Sequence, residues 1–203
     1  MRIKISLLIL LSIFLYNVQA QNDSSESNYL VKTNMLYALT GTINASMECK
    51  FSDNVSAEFS VNLNPWDYGS WTMRHFLFQP EIRYWLKQTY DHAFIGAHLI
   101  YANYNFAGLK LPFGIYGGYD LREYRYEGNF YGFGIATGYQ WHFNKSWGME
   151  ASFGIGYTYW SYDKFLIDSK RPHSEGVFLE HERGGLISLT KIGLSLVYRI
   201  NNN

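Results

Sequence analysis

The sequence predicts an all-β fold: an eight-stranded antiparallel up-and-down transmembrane β-barrel with short periplasmic turns and longer extracellular loops. Three observations carry that expectation. Apolar and polar residues alternate with a period of two along eight segments, as strands with one greasy face require. The polar face of these segments is rich in glycine and carries charges of both signs, while tryptophan, tyrosine and phenylalanine collect on the apolar face, the inverse of a soluble barrel. The connections alternate between short and long, the asymmetry of a barrel with both termini in the periplasm.

Composition agrees. Of 203 residues, 19 % are aromatic and only 17 % charged, whereas soluble domains carry about 25 % charged residues. Seventeen basic and seventeen acidic residues cancel, which excludes the basic footprint of a nucleic-acid binder. The 47 % apolar content excludes disorder. Cys49 is alone, so no intramolecular disulfide forms and it reads as a small apolar strand residue.

Residues 1–20 combine a basic start (Arg2, Lys4), an apolar core and the end Asn17-Val18-Gln19-Ala20. This is the layout of a secretory signal peptide cleaved after Ala20. The apolar stretch is shorter than the roughly 20 residues of a spanning helix. Residues 21–28 read as a linker, 29–200 as the barrel domain and 201–203 as a polar tail.

The first strand, expected over 30–38, sets Lys32 and Asn34 against Thr33, Met35 and Tyr37. The second sets Ile43, Ala45, Met47, Cys49 and Phe51 against Asn44, Ser46, Glu48 and Lys50, and the third Val55, Ala57, Phe59, Val61 and Leu63 against Ser56, Glu58, Ser60, Asn62 and Asn64. In the fourth, Phe76, Phe78, Ile82, Tyr84 and Leu86 oppose Gln79, Glu81 and Arg83, and Pro80 marks a local defect because it cannot donate to a ladder. The fifth, 93–106, is apolar on both faces; Ala93, Ile95, Ala97, Leu99 and Tyr101 are taken as outward, Gly96 and His98 as inward. The sixth sets Tyr131, Phe133, Ile135, Tyr139, Trp141 and Phe143 against Gly132, Gly134, Ala136, Gly138, Gln140 and His142. The seventh sets Trp147, Met149, Ala151, Phe153, Ile155, Tyr157 and Tyr159 against Gly148, Glu150, Ser152, Gly154, Gly156 and Thr158. The eighth sets Ile192, Leu194, Leu196, Tyr198 and Ile200 against Lys191, Gly193, Ser195 and Arg199, with Val197 the apolar exception. Tight connections fall at 52–54, 87–92 and 144–146; the others are a short turn at 39–42, an aromatic loop at 65–75 and long loops at 107–129 and 166–185.

This phase gathers Lys32, Glu48, Lys50, Glu58, Glu81, Arg83, Glu150, Lys191 and Arg199 on the inward face. An eight-stranded barrel has room inside for side chains only, so these charges are expected to pair and leave no continuous pore. Trp141 and Trp147 are expected at the periplasmic interface; Trp85 faces the lumen by phase. Lys191, Gly193, Leu196 and Tyr198 resemble the carboxy-terminal signal read by the barrel assembly machinery, although the chain continues through Arg199 to Asn203.

No catalytic, cofactor or metal residue is assigned from the sequence. His173, Ser174, Glu175, His181 and Glu182 fall in the last long loop and read as solvated. No His and Ser stand two apart on one strand face, and no metal-ligand spacing occurs. Gly114, Gly117 and Gly118 lack the strand-to-helix setting and the Lys-Ser/Thr of a phosphate loop. Trp66, Trp71, Tyr116, Tyr119, Tyr124 and Tyr126 are candidates for surface contact, because amphipathic rings offer area at low entropic cost.

Five segments in order resemble a family of small outer-membrane barrels known as domain of unknown function 3575: Lys32-Thr33-Asn34-Met35-Leu36-Tyr37, Asn64-Pro65-Trp66, Gln79-Pro80-Glu81-Ile82-Arg83-Tyr84-Trp85, Gly138-Tyr139-Gln140-Trp141 and Tyr162-Asp163-Lys164. The resemblance implies a gene encoded beside those of fimbrillin-type pilus subunits in Gram-negative anaerobes, and it brings no catalytic residues to carry over. The expected function is a structural, adhesive or pilus- or envelope-associated outer-membrane protein that is not an enzyme. Its expected partners are outer-membrane lipid, the barrel assembly machinery and a pilus subunit or surface protein. Two alternatives stay open: an interfacial lipid-modifying enzyme of lipid A deacylase or acyltransferase type, which requires a Ser, a His and an acid converging on the outer rim, and a soluble lipid-binding barrel, which requires an apolar lumen.

Overall fold

The computed structural model describes residues 28–69, 71–108, 123–167 and 176–200. The expected signal peptide and polar tail lie outside the described residues, as do Gly114, Tyr116, Gly117, Gly118, Tyr119, His173, Ser174 and Glu175.

One antiparallel sheet contains β1 (Tyr29–Asn34), β2 (Ile43–Lys50), β3 (Val55–Asn64), β4 (Asp67–Tyr68), β5 (Trp71–Trp85), β6 (His92–Ala107), β7 (Tyr124–His142), β8 (Trp147–Leu166) and β9 (Val177–Ile200). The two-residue β4 pairs with β5. The other eight strands run up and down; β1 pairs with β9 and β3 with β5, so the ladder returns on itself. The closure lies toward the short-turn end, where β1 pairs with Ser195–Ile200; before Ser195, β9 pairs with β8 alone among the described residues.

Three expected boundaries move. The first strand ends at Asn34, and Met35–Ala38 form a single helical turn, α1. The cause is the Asn34 side chain, whose Oδ1 accepts from Leu36 N at 3.1 Å and from Leu194 N at 3.2 Å. A short polar side chain that bonds nearby backbone ends the ladder and caps a turn. The aromatic loop expected at 65–75 is largely the β4–β5 hairpin. The long loops shrink because β7 begins at Tyr124 and β9 at Val177, so β7, β8 and β9 run to 19, 20 and 24 residues.

The inward and outward faces follow the alternation. Ile82, Ile95, Leu99, Phe133, Ile135, Phe153 and Ile187 are exposed, while Glu48, Glu81, Arg83, Gln140 and Glu150 are buried. Glycine lets the inward faces close up: Gly134 and Gly156 are register partners, and a Cβ on Gly156 would stand 2.1 Å from the carbonyl oxygen of Phe133. In β9, Thr190 is an extra residue between Lys191, opposite Gly154, and Leu189, opposite Ile155. That bulge switches the inward phase: below it Lys191, Gly193 and Ser195 point in, and above it Ser188.

Candidate functional site

The interior has three storeys. At the short-turn end, Leu30, Trp85, Tyr90, Phe94 and Val197 form one buried apolar cluster. Trp85 stacks obliquely on Phe94 with centroids 4.9 Å apart, and its Nε1 donates to Ser56 Oγ at 2.8 Å. Tyr90 adopts φ +71° in the β5–β6 turn, a left-handed backbone uncommon for a side-chain-bearing residue. That turn folds its ring inward, where the hydroxyl donates to the carbonyl of Asn28 at 3.0 Å and Arg199 and Gln140 donate to its own carbonyl.

Above this plug lies a charge layer. Glu48, Glu58 and Glu81 sit opposite one another on β2, β3 and β5, and like charges directly opposite repel. The layer exists because three cations lie between them. Arg83, with no exposed side-chain surface, reaches Glu81 at 2.6 Å and Glu48, Glu58 and Glu150 at 2.9 Å each. Its guanidinium also lies 4.2 Å over the Phe94 ring. Lys32 Nζ contacts Glu48, Glu58 at 2.9 Å and Glu150 at 2.5 Å, and Lys191 Nζ contacts Glu81 at 2.7 Å and Glu58 at 3.1 Å. Oxygens of Glu48, Glu58 and Glu150 lie within 4.8 Å of one another; the Lys32 ammonium fills the place a metal ion would take. Seven of the nine residues assigned to this network from sequence therefore meet. Lys50 does not, because it pairs with Asp53 in the β2–β3 turn at 3.2 Å. Arg199 does not either: it is one storey lower, against His142 and the Tyr90 carbonyl.

Above the charge layer the interior opens into a cavity of about 400 Å³ walled by Leu77, Ile100, Tyr104, Phe130, Trp160 and Leu186, with Thr190 and Lys191 at its floor. Tyr126 and Tyr162 are buried there, edge to face at 5.2 Å. This corrects the expectation for Tyr126, which is an inward ring and not a surface contact. Tyr124 is half-buried and packs on Lys164. Trp66 is exposed and its Nε1 donates to the Gly41 carbonyl at 3.0 Å; Trp71 is half-buried. Lys191 and Gly193 point inward, and Tyr198 points outward against Trp147 with centroids 4.8 Å apart.

A second cluster lies outside, on the upper part of β8 and β9. Asp163 faces His181 and Ser161 faces Arg183 in the register. His181 Nδ1 stands 2.6 Å from Asp163 Oδ1, and His181 Nε2 stands 3.1 Å from Ser161 Oγ. With Nδ1–H donating to the carboxylate, Nε2 is left bare and accepts from the serine hydroxyl. Inward-facing pairs fix this register from behind: Tyr162 OH donates to Glu182 at 2.6 Å and Lys164 Nζ to Glu180 at 2.8 Å. The Lys164 ammonium holds the Glu180 carboxyl below its ordinary range. Phase and spacing alone leave His181 in a solvated loop and do not reveal this cluster. The one linear signal was Ser161-Tyr162-Asp163, serine and acid two apart on a strand; the histidine joins only through the β8–β9 register.

These features define a class: an all-β protein with one ladder closed on itself, a charge layer across its interior and an apolar exterior. The chain belongs to the family described as Protein of unknown function (DUF3575), which it matches over residues 5–200. No curated protein and no solved structure matches it.

Proposed function

We propose that this protein is an outer-membrane β-barrel, exported by its signal peptide, that conducts nothing and holds its long outer strands at the cell surface in a structural or envelope-associated role. The observation that carries the reading is the inverted polarity: Arg83 and Glu48 have no exposed surface, whereas Ile135 is 63 % and Ile187 79 % exposed. In water such an exterior would be a large apolar patch of the kind that drives aggregation; in lipid it is the required surface. Its height fits. From Trp141 to Tyr131, the outward aromatics of β7, is ten residues, which at about 3.4 Å per residue and about 45° tilt gives roughly 24 Å, against an apolar band about 25 Å tall.

The plug and the charge layer support a closed interior, and the inward Glu81, Arg83, Glu150 and Lys191 count against a soluble lipid carrier. The partners proposed are outer-membrane lipid, the assembly machinery and, at the outer end, a pilus subunit or surface protein. The test is heat modifiability of the detergent-extracted membrane fraction. A shift in gel mobility between unheated and boiled samples is expected. A periplasmic, soluble protein with no shift would contradict the reading.

A further inference from the structure

We propose that Ser161, His181 and Asp163 form a hydrolytic triad that cleaves acyl esters of amphiphiles at the outer surface of the membrane. The inference rests on the membrane reading above, because that reading sets the depth of the site.

The connectivity is the first argument. An acid on Nδ1 and a serine hydroxyl on Nε2 is the arrangement that lets an imidazole take the serine proton. A pair made only for cross-strand charge complementarity needs the His181–Asp163 contact at 2.6 Å and nothing more. Here the opposite ring nitrogen also meets a nucleophile, at 3.1 Å.

An oxyanion donor is present on the third strand. Asn129 is the β7 register partner of Ser161. Its Oδ1 is engaged on the β6 side, accepting from Asn103 Nδ2 at 3.1 Å and from Tyr101 OH at 3.4 Å. With Oδ1 held on the β6 side, the planar carboxamide leaves Nδ2 free to serve the side away from β6, where Ser161 stands in register. A side-chain amide in that position stabilises the charge that develops on an attacked carbonyl.

Depth identifies the substrate class. Ser161 is two residues beyond Tyr159, which pairs with Tyr131 in the upper aromatic row, and so lies about 5 Å above that row at the same rise and tilt. This is the level at which acyl chains meet their polar linkage. Below the serine the outward face is Ile155, Tyr157 and Ile187, all exposed, a track for an acyl chain. Beside the serine stands exposed Arg183, whose fork suits an anionic headgroup.

In the reaction Ser161 Oγ bonds to the ester carbonyl carbon as its proton passes to His181 Nε2. The carbonyl π pair moves to oxygen, beside Asn129 Nδ2. Collapse breaks the carbon–oxygen bond to the alcohol portion, which leaves with the proton from His181. Water then attacks the acyl-serine, giving its proton to His181; collapse returns that proton to Ser161 and releases a fatty acid.

The experiment uses the full chain, extracted in its heat-modifiable form and placed in phosphatidylethanolamine vesicles. It reads fatty acid release, and covalent labelling by a long-chain alkyl fluorophosphonate mapped by mass spectrometry. We expect label on Ser161 and acid release by the wild type, with turnover falling by about 10³-fold or more in Ser161→Ala and in His181→Gln. In Asn129→Ala turnover is expected to fall by about 10²-fold while KM changes little. Each variant should keep the mobility shift, since all three side chains lie outside the core. A heat-modifiable protein that is neither labelled nor active, or a Ser161→Ala variant as active as the wild type, would overturn the triad and leave the membrane reading standing. Loss of the shift in the wild type would overturn the membrane reading itself.

Discussion

Arg83→Met is expected to lower the stability of the folded protein by about 3–5 kcal/mol, the cost of leaving buried charge uncompensated when one partner of an ion pair is removed. Among the described residues, Arg83 is the only interior side chain that touches all four glutamates of the charge layer. Without it Lys32 and Lys191 remain to hold four carboxylates, three of which face one another across adjacent strands. Methionine matches much of the volume, so the loss reports charge and not a cavity. The measurement is the urea midpoint of the folded, fast-migrating band in vesicles, read with an unchanged slope. The double variant Arg83→Met with Glu81→Gln should recover part of the loss, since removing the nearest carboxylate lessens the excess negative charge; the coupling is read from the double-mutant cycle.

Ile135→Arg is the second large effect. Ile135 points outward, 63 % exposed, near the middle of the band between Trp141 and Tyr131. In water an exposed isoleucine tolerates arginine within about 0.5 kcal/mol. On the lipid face of a barrel at mid-depth the same change costs about 2–4 kcal/mol, falling toward zero at the interfaces. Leu166→Arg, at the outermost end of β8 and also exposed, is the matched control and should shift the urea midpoint little. Equal, small shifts at both positions would place the outward face in water.

Much of this fold was legible in the residues because a period of two fixes the faces wherever a strand is regular. The eight long strands, the inward Glu48, Glu81, Arg83 and Glu150, and the lumen-facing Trp85 all follow from phase alone. Val197, the one apolar residue on a polar face, is the inward wall of the short-turn plug, where it has no exposed surface. What phase could not give was position along the strand. Lys50 and Arg199 have the inward phase yet stand at other heights, so they meet other partners. The first strand broke early because the Asn34 side chain competes with the ladder, a contact that depends on β9. The outer cluster was hidden for a related reason. Ser161 and Asp163 share a strand face, but His181 reaches them only once β9 continues past the expected loop and the Thr190 bulge resets its phase.

In the proposed membrane setting the apolar face meets lipid while the charges meet one another. The most direct measurement replaces Cys49 with alanine, places a single cysteine at Ile135 with a small environment-sensitive fluorophore, and refolds the protein into vesicles of lipid brominated near the middle of the acyl chains. Strong quenching is expected at Ile135→Cys, and weak quenching at a label on the exposed Lys145→Cys in the β7–β8 turn. A label at Ile135 that ignores the brominated chains and is quenched by aqueous iodide as readily as the turn label would contradict it.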